Sequence, residues 1–168
     1  MKLHLLNLTM CASAMLGLLA STSQAADHEL DNDGLGSLKL GQTAAQVTDL
    51  LGAPKSKGKD QLWEAIGEWV QDWEFPAHGL TVAMASTSKS GAKTIHSLTA
   101  KQGCTLSTAR GIKVGSPEED VRTAYKNAED KEQSKKGETF VAGSVYGGVI
   151  FTFKNGKVSE IFVGAAAE

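Results

Sequence analysis

The chain has 168 residues, of which 41% are hydrophobic, so it is long enough to bury the core of one ordinary domain. It carries 17 Lys and Arg side chains against 19 Asp and Glu, which gives a formal net charge of −2. This balance argues against nucleic acid and against an anionic membrane surface as partners.

The first 25 residues have the pattern of a signal peptide. Lys2 supplies a positive charge, an apolar run covers residues 12–20, and Ser23-Gln24-Ala25 places small residues where a signal peptidase cleaves. The run is shorter than the roughly 20 residues that cross a bilayer, so we expect cleavage and no membrane anchor after processing. The mature protein is then expected to be periplasmic or secreted, and soluble.

The rest of the chain contains two similar segments. Residues 38–47 (LKLGQTAAQV) and 112–121 (IKVGSPEEDV) share an apolar-Lys-apolar-Gly opening, a helix-start residue and a closing valine. A repeated unit of this size is a strong signal of architecture. We therefore predict a flexible acidic lead over 26–36, a first repeat over 37–101, a linker over 102–111 and a second repeat over 112–164.

Within the first repeat, the pattern predicts a helix followed by strands. Thr43 can cap a helix that runs to Leu51, because Gly52 favours a helix end there. The hydrophobic period then changes from helical to alternating, which is typical of strands. Strands are predicted over residues 69–75, 80–84 and 94–101.

The second repeat shows the same order. Ser116 as cap, Pro117 at the first helical position and Glu119 at the third predict a capping box. Lys126-Asn127 stands where the first repeat has Gly52-Ala53, so the second helix is expected to run longer. Its inner stripe is predicted to be Val121, Ala124, Tyr125 and Ala128. Strands are predicted over residues 139–142, 145–153 and 157–163, with a hairpin turn at Asn155-Gly156.

These elements predict an α+β fold. We expect two tandem helix-then-antiparallel-strand repeats that form one sheet, with the helices packed on one face.

Two resemblances point the same way. Residues 38–54, read as Leu-Lys-Leu-Gly-x-Thr-x-x-x-Val-x-x-Leu-Leu-Gly-x-Pro, resemble the helix opening of small outer-membrane assembly lipoproteins of the SmpA/OmlA type. Two such units in tandem are similar in plan to the β-lactamase inhibitor protein (BLIP) fold, which implies an open, concave sheet face. This chain departs from those families because it can form no internal disulfide and carries no cysteine for lipidation just after the signal. Inhibition of a β-lactamase does not carry over, since no contact residue matches.

The chain offers little for catalysis or for metal binding. His28, His78 and His96 fall in a lead, a turn and a strand, without a motif that pairs them with a nucleophile. The His and acidic residues do not form a recognisable metal-binding motif. Cys104 remains alone once Cys11 leaves with the signal, and we expect it to be buried. We predict no enzymatic activity, no cofactor and no metal.

The aromatic residues of the strand regions are the best lead to function. Large rings dominate protein interfaces, and acidic side chains alternate with them along one segment. Two interpretations stand: the rings form the core, or they anchor a partner on the open face. The candidate partner-binding residues are Trp63, Trp69, Trp73, Phe75, Asp72, Glu74 and Tyr146.

The sequence thus favours a protein-binding module. We expect it to bind another protein or peptide of the cell envelope through an exposed sheet face, as an inhibitor or as an assembly accessory. Two alternatives are an envelope enzyme that acts on a small ligand or in stress, and a purely structural envelope component. The oligomeric state is left open.

Overall fold

A computed structural model of the chain describes residue 30 and residues 33–166. The predicted signal peptide, residues 1–25, lies outside this part, as does most of the predicted lead. The described elements are α1 (Ala44–Leu51), β1 (Ser56–Lys57), β2 (Gln61–Trp63), β3 (Glu68–Phe75), a 3-10 turn (Pro76–His78), β4 (Leu80–Ser86), β5 (Thr94–Ala100), α2 (Glu118–Ala124), β6 (Thr139–Ser144), β7 (Gly147–Lys154) and β8 (Lys157–Gly164).

All eight described strands form one antiparallel sheet. Its order is β1-β3-β4-β5-β8-β7-β6, and β2 also pairs with β3, beyond the end of β1. The N-terminal and C-terminal strands meet at β5 and β8, where Leu98 lies opposite Val163 and Ala100 opposite Ile161. The sheet is therefore continuous across the middle of the chain, and the two halves share one hydrogen-bonded ladder.

The predicted fold class is wrong. The molecule is mostly one eight-stranded antiparallel sheet with two short described helices, and it is not a pair of helix-then-strand repeats under a helical layer. The helices span eight and seven residues, and each has one fully buried residue, Val47 in α1 and Val121 in α2. Helices of two turns cannot cover so wide a sheet, so loops supply much of the remaining apolar cover.

The cover from loops includes part of the predicted flexible lead. Leu35 and Leu38 are fully buried and join the main core. Asp33 is buried too, and its two carboxylate oxygens accept hydrogen bonds from the Ala109 amide at 3.0 Å and the Tyr125 hydroxyl at 3.0 Å. Residues 33–36, expected to be flexible, are thus held in the fold by contacts with residues far along the chain.

Of the two helix starts, one matches its prediction. Thr43 caps α1, as the sequence predicts, and it does so in a capping box with Gln46 that was not predicted. At α2 the predicted box is wrong, because the Ser116 hydroxyl accepts from the Lys113 amide and the Glu118 amide donates to the Gly156 carbonyl. The sheet therefore provides the partner that the cap was expected to supply. The second helix also ends at Ala124 and is not the longer of the two.

The turn between β7 and β8 is as predicted. Asn155 and Gly156 both have positive φ, 53° and 70°, which is typical of the tight two-residue hairpin turn that matches strand twist. Of the predicted inner stripe of α2, Val121 is buried within the helix and Ala124 is half-buried, whereas Tyr125 and Ala128 are buried beyond the end of the helix. These local signals succeed because short-range backbone geometry decides them.

The core lies on one side of the sheet, and strand pleating places its residues. Side chains on alternate positions of a strand point to opposite faces. Most of the large buried side chains of the long strands share one face, which we call the core face, and they include Trp73, Phe75, Leu80, Val82, Met84, Leu98, Phe140, Val149, Phe151, Phe153, Ile161 and Val163. The other side, which faces away from this cluster, we call the outer face.

Candidate protein-binding face

Small side chains occupy the middle of the outer face. On β4 and β5, Thr81 lies opposite Thr99 and Ala83 opposite Ser97 in the register. These residues have short side chains; Ala83 and Ser97 are buried, and Thr81 and Thr99 are half-buried. Thr81 also donates a hydrogen bond to a carboxylate oxygen of Glu74 at 3.0 Å, which ties it to the neighbouring strand β3.

Larger apolar side chains stand on the C-terminal side of this centre. Phe162 on β8 lies opposite Thr99 on β5 and opposite Ile150 on β7. Both Phe162 and Ile150 are half-buried, whereas their sequence neighbours Phe151 and Ile161 are fully buried on the core face. An aromatic and an aliphatic side chain are therefore partly open to solvent beside a row of small ones.

A second apolar group stands on the N-terminal side. Trp63 of β2 packs on a small cluster formed by Val70, Ala83 and Ala85. Its ring meets the His96 ring edge-on, with centroids 5.6 Å apart and planes at 87°. His96 is an extra residue of β5 at a β-bulge, because Ser97 pairs with Ala83 and Ile95 with Met84. The bulge turns the imidazole toward Trp63.

The His96 imidazole has an unusual environment. Its Nε2 atom is buried and has no hydrogen-bond partner among the described residues. A buried nitrogen without a partner costs free energy. Trp63 and His96 together therefore form a wall of the outer face in which one polar atom stays unsatisfied.

Acidic side chains line the outer face of β3. Glu68, Asp72 and Glu74 alternate with core-facing residues, and Asp72 is the most exposed of the three. Partial desolvation, and secondly the neighbouring carboxylate of Glu74, raise the pKa of Asp72 above its ordinary value. A cation brought close to this row would relieve the repulsion between the two carboxylates.

The structure divides the predicted aromatic group. Trp73 and Phe75 belong to the core, at 4% and 3% exposure, so for them the interpretation as core residues holds. The Trp73 indole donates to the Gln71 side chain at 2.8 Å, and Lys57 lies over its ring at 3.8 Å. Neither ring can reach a partner on the outer face.

The other three predicted aromatics lie apart. Trp63 is half-buried on the outer face, while Trp69 is half-buried on the opposite face, with the Lys89 ammonium 5.2 Å from its ring centroid. Tyr146 is 71% exposed in the turn between β6 and β7, in the other half of the sheet. Only Trp63, Asp72 and Glu74 of the predicted set therefore share the outer face.

Sequence reasoning missed Phe162, Ile150 and His96. The alternation in residues 148–153 and 158–163 could have indicated the first two, because each is flanked by residues of the opposite face. No sequence signal would have marked His96, since its orientation depends on a bulge within β5.

Chemically reactive arrangements are scarce in the described part. No group of three or more His, Cys, Asp or Glu residues there could hold a metal ion. Burial raises the pKa of the Cys104 thiol, which is free and buried. Burial, with Asp33 adding to it, also raises the pKa of Tyr125, whose hydroxyl donates to that carboxylate inside the core. Cys104 and Tyr125 both pack in the main core.

Comparison with known proteins adds no relative. No family model, no curated protein and no solved structure matches this chain. Among the described helices, none is long and apolar enough to cross a membrane.

Proposed function

We propose that this chain is an exported protein of the cell envelope that binds another protein or peptide through the outer face of its sheet. It would act as an inhibitor or as an accessory of envelope assembly. The observation that carries the proposal is the half-exposed pair Phe162 and Ile150 beside the small residues of β4 and β5. The signal-peptide pattern of residues 1–25 supports export.

The shape of the outer face suits a protein ligand. Short side chains separate Trp63 on one side from Phe162 on the other, so a partner could contact both rings across them. Partly exposed aromatic rings bury large area on binding at small entropic cost, which is why they are frequent among interface hot spots. The small central residues, Thr99 among them, allow close approach of a backbone.

The charge of this face restricts the partner. Asp72 and Glu74 disfavour an acidic surface and favour one that presents Lys or Arg near β3. Because the pKa of Asp72 is raised, a cationic partner would lower it again, and binding would release protons at mildly acidic pH. The proposed partner is therefore a protein or peptide with basic residues beside an apolar one.

Affinity capture from a periplasmic extract tests the proposal. The secreted protein is used as bait next to two variants that each introduce one arginine. Thr99→Arg fills the centre of the outer face, whereas Thr123→Arg adds the same side chain on the exposed side of α2. We expect one specific partner to be retained by the wild type and by Thr123→Arg, and to be lost with Thr99→Arg.

Two results would contradict the proposal. A partner retained equally by both variants would locate binding elsewhere on the molecule. Turnover of an added substrate, with no partner captured, would favour the alternative of an envelope enzyme.

A further inference from the structure

A groove at one end of the sheet combines unpaired positive charge with an apolar floor. It has a volume of about 840 Å³ and lies where the end of β5 meets the β7–β8 hairpin. Its floor includes Val114, which is half-buried, and below it Cys104 and Val158, which are buried. Its rim carries Lys101, Lys154 and Lys157. The volume is in the range of sites that hold small organic ligands.

Two of these lysines lie close enough to repel each other. Lys154 and Lys157 lie directly opposite each other in the β7–β8 register, where like charges are destabilising. In the described part of the chain, no salt bridge involves either of them. The one acid that lines the groove, Glu160, pairs with Lys101 at 3.3 Å. The hairpin end therefore presents two uncompensated ammonium groups side by side.

Neutral donors complete the rim. Gln102 and Asn155 both line the groove with exposed amide side chains, which can donate hydrogen bonds to an oxygen-rich ligand. No arginine lines the groove, so no guanidinium group can bind a carboxylate there through two parallel hydrogen bonds. Two adjacent point charges with amide donors instead suit a compact dianion, which a phosphate monoester provides.

We propose that this groove binds a phosphate monoester carried on an organic body. The phosphate would sit between Lys154 and Lys157, and the body would lie against Val114, which is half-buried. Binding would relieve the repulsion across the hairpin, because the dianion places opposite charge between the ammonium groups. The groove adjoins the outer face, because Thr152 and Glu160 lie on that face of β7 and β8. Phe162, Ile150 and Trp63 do not line it, so neither proposal depends on the other. The same chemistry could come from a soluble sugar phosphate or from a lipid headgroup.

Isothermal titration calorimetry with the secreted protein tests the proposed phosphate site. The probes are inorganic phosphate, glucose 6-phosphate, and vesicles of phosphatidylcholine with or without phosphatidic acid. The groove variant is Lys154→Gln with Lys157→Gln. The control is Lys59→Gln with Lys131→Gln, which removes the same charge at two exposed loop positions outside the groove.

We expect saturable binding of glucose 6-phosphate, tighter than that of inorganic phosphate, and weaker at high salt. The groove variant should bind at least about tenfold more weakly, because two charge-assisted contacts are lost, and the control should bind as the wild type does. A second outcome would also support the site: the wild type and the control bind vesicles with phosphatidic acid but not the soluble probes, and the groove variant does not bind the vesicles. That result would assign the ligand to a lipid headgroup.

The proposal is overturned by either of two results. One is the absence of saturable binding with every probe. The other is equal weakening in the groove variant and in the control, which would show that only net charge matters. Thermal unfolding of both variants, run in parallel, checks that each is folded.

Discussion

Strand β7 shows the difference between the two faces of the sheet within eight residues. Val149, Phe151 and Phe153 are buried in the main core, whereas Ile150 between them is half-buried and Thr152 is exposed. The residues of β7 on the core face are all apolar, whereas those on the outer face include Thr152 and Lys154, so that Ile150 is the large apolar side chain left partly open there. The comparison indicates that the core face carries most of the stability and that the outer face is free to evolve contacts with another molecule.

Substituting alanine for two neighbouring residues, one on each face of the sheet, gives the largest expected difference in the free energy of unfolding. Phe151→Ala removes a fully buried ring that packs on Tyr125 and Phe140, with ring centroids 5.1 and 6.3 Å away. We expect the free energy of unfolding to fall by about 3 to 5 kcal/mol. Ile150→Ala should lower it by roughly 1 kcal/mol, because that side chain is already partly in water. Urea unfolding measures both values, and equal losses would mean that the outer face is covered as well.

A buried hydrogen bond is the next test of the core side. Tyr125→Phe removes the hydroxyl that donates to Asp33 at 3.0 Å and leaves a buried carboxylate oxygen unpaired. The expected loss in free energy of unfolding is about 1 to 3 kcal/mol.

The matched control is Tyr146→Phe, which removes the same hydroxyl from a side chain that is 71% exposed. It should leave stability unchanged within error. If Tyr125→Phe were equally neutral, residues 33–36 would not be fixed by this contact.

A smaller effect is expected at the start of α1. The Thr43 hydroxyl accepts from the Gln46 amide, and Thr43→Ala should lower the free energy of unfolding by about 1 kcal/mol. Thr123→Ala, within α2 and exposed, is the control and should change it by a few tenths of a kcal/mol at most, in the favourable direction. Thermal unfolding is sufficient to rank the two, and a reversed order would argue against the capping box.

The acidic row of the outer face should give the smallest change, with a defined dependence on pH. The folded-state pKa of Asp72 is raised, so its contribution to stability is fully present below the unfolded-state pKa and is lost as the pH rises through the folded-state value. Asp72→Asn should therefore be more stable than the wild type at neutral pH, by on the order of a few tenths of a kcal/mol, since the side chain is exposed.

That advantage should shrink as the pH falls through the raised folded-state pKa of Asp72, and should be gone below about 4, the ordinary pKa of the carboxyl in the unfolded chain. Urea midpoints between pH 3 and pH 7 follow the difference. A variant less stable than the wild type at pH 7 would show that Asp72 has a favourable partner in the fold.

Local signals in the sequence predicted the individual strands well, but they did not predict how the strands and helices are arranged. Alternation in residues 69–75 and the Asn155-Gly156 turn gave β3 and the β7–β8 hairpin, because pleating and turn geometry are short-range properties. The sequence overstated the share of the fold that is helical. At the start of α2, Ser116 bonds to Lys113 and Glu118 bonds to Gly156, and no local pattern reveals the second partner.

The candidate site was only partly accessible to such reasoning. Alternation separates Trp73 from Asp72, but it does not say which face is covered, and loop residues such as Leu35 and Leu38 cover the core without any period. The position of Trp63 beside His96 depends on a bulge and on long-range pairing. These features arise from tertiary contacts, so they became visible only with the fold.

Hydroxyl-radical footprinting of the protein, alone and with its captured partner, tests the role of the outer face most directly. We predict that Phe162 and Trp63 are oxidised in the free protein and protected in the complex, while Phe140 and Phe151 stay unreactive in both states. Protection confined to the exposed side of α2, or an unreactive Phe162 in the free protein, would contradict the account.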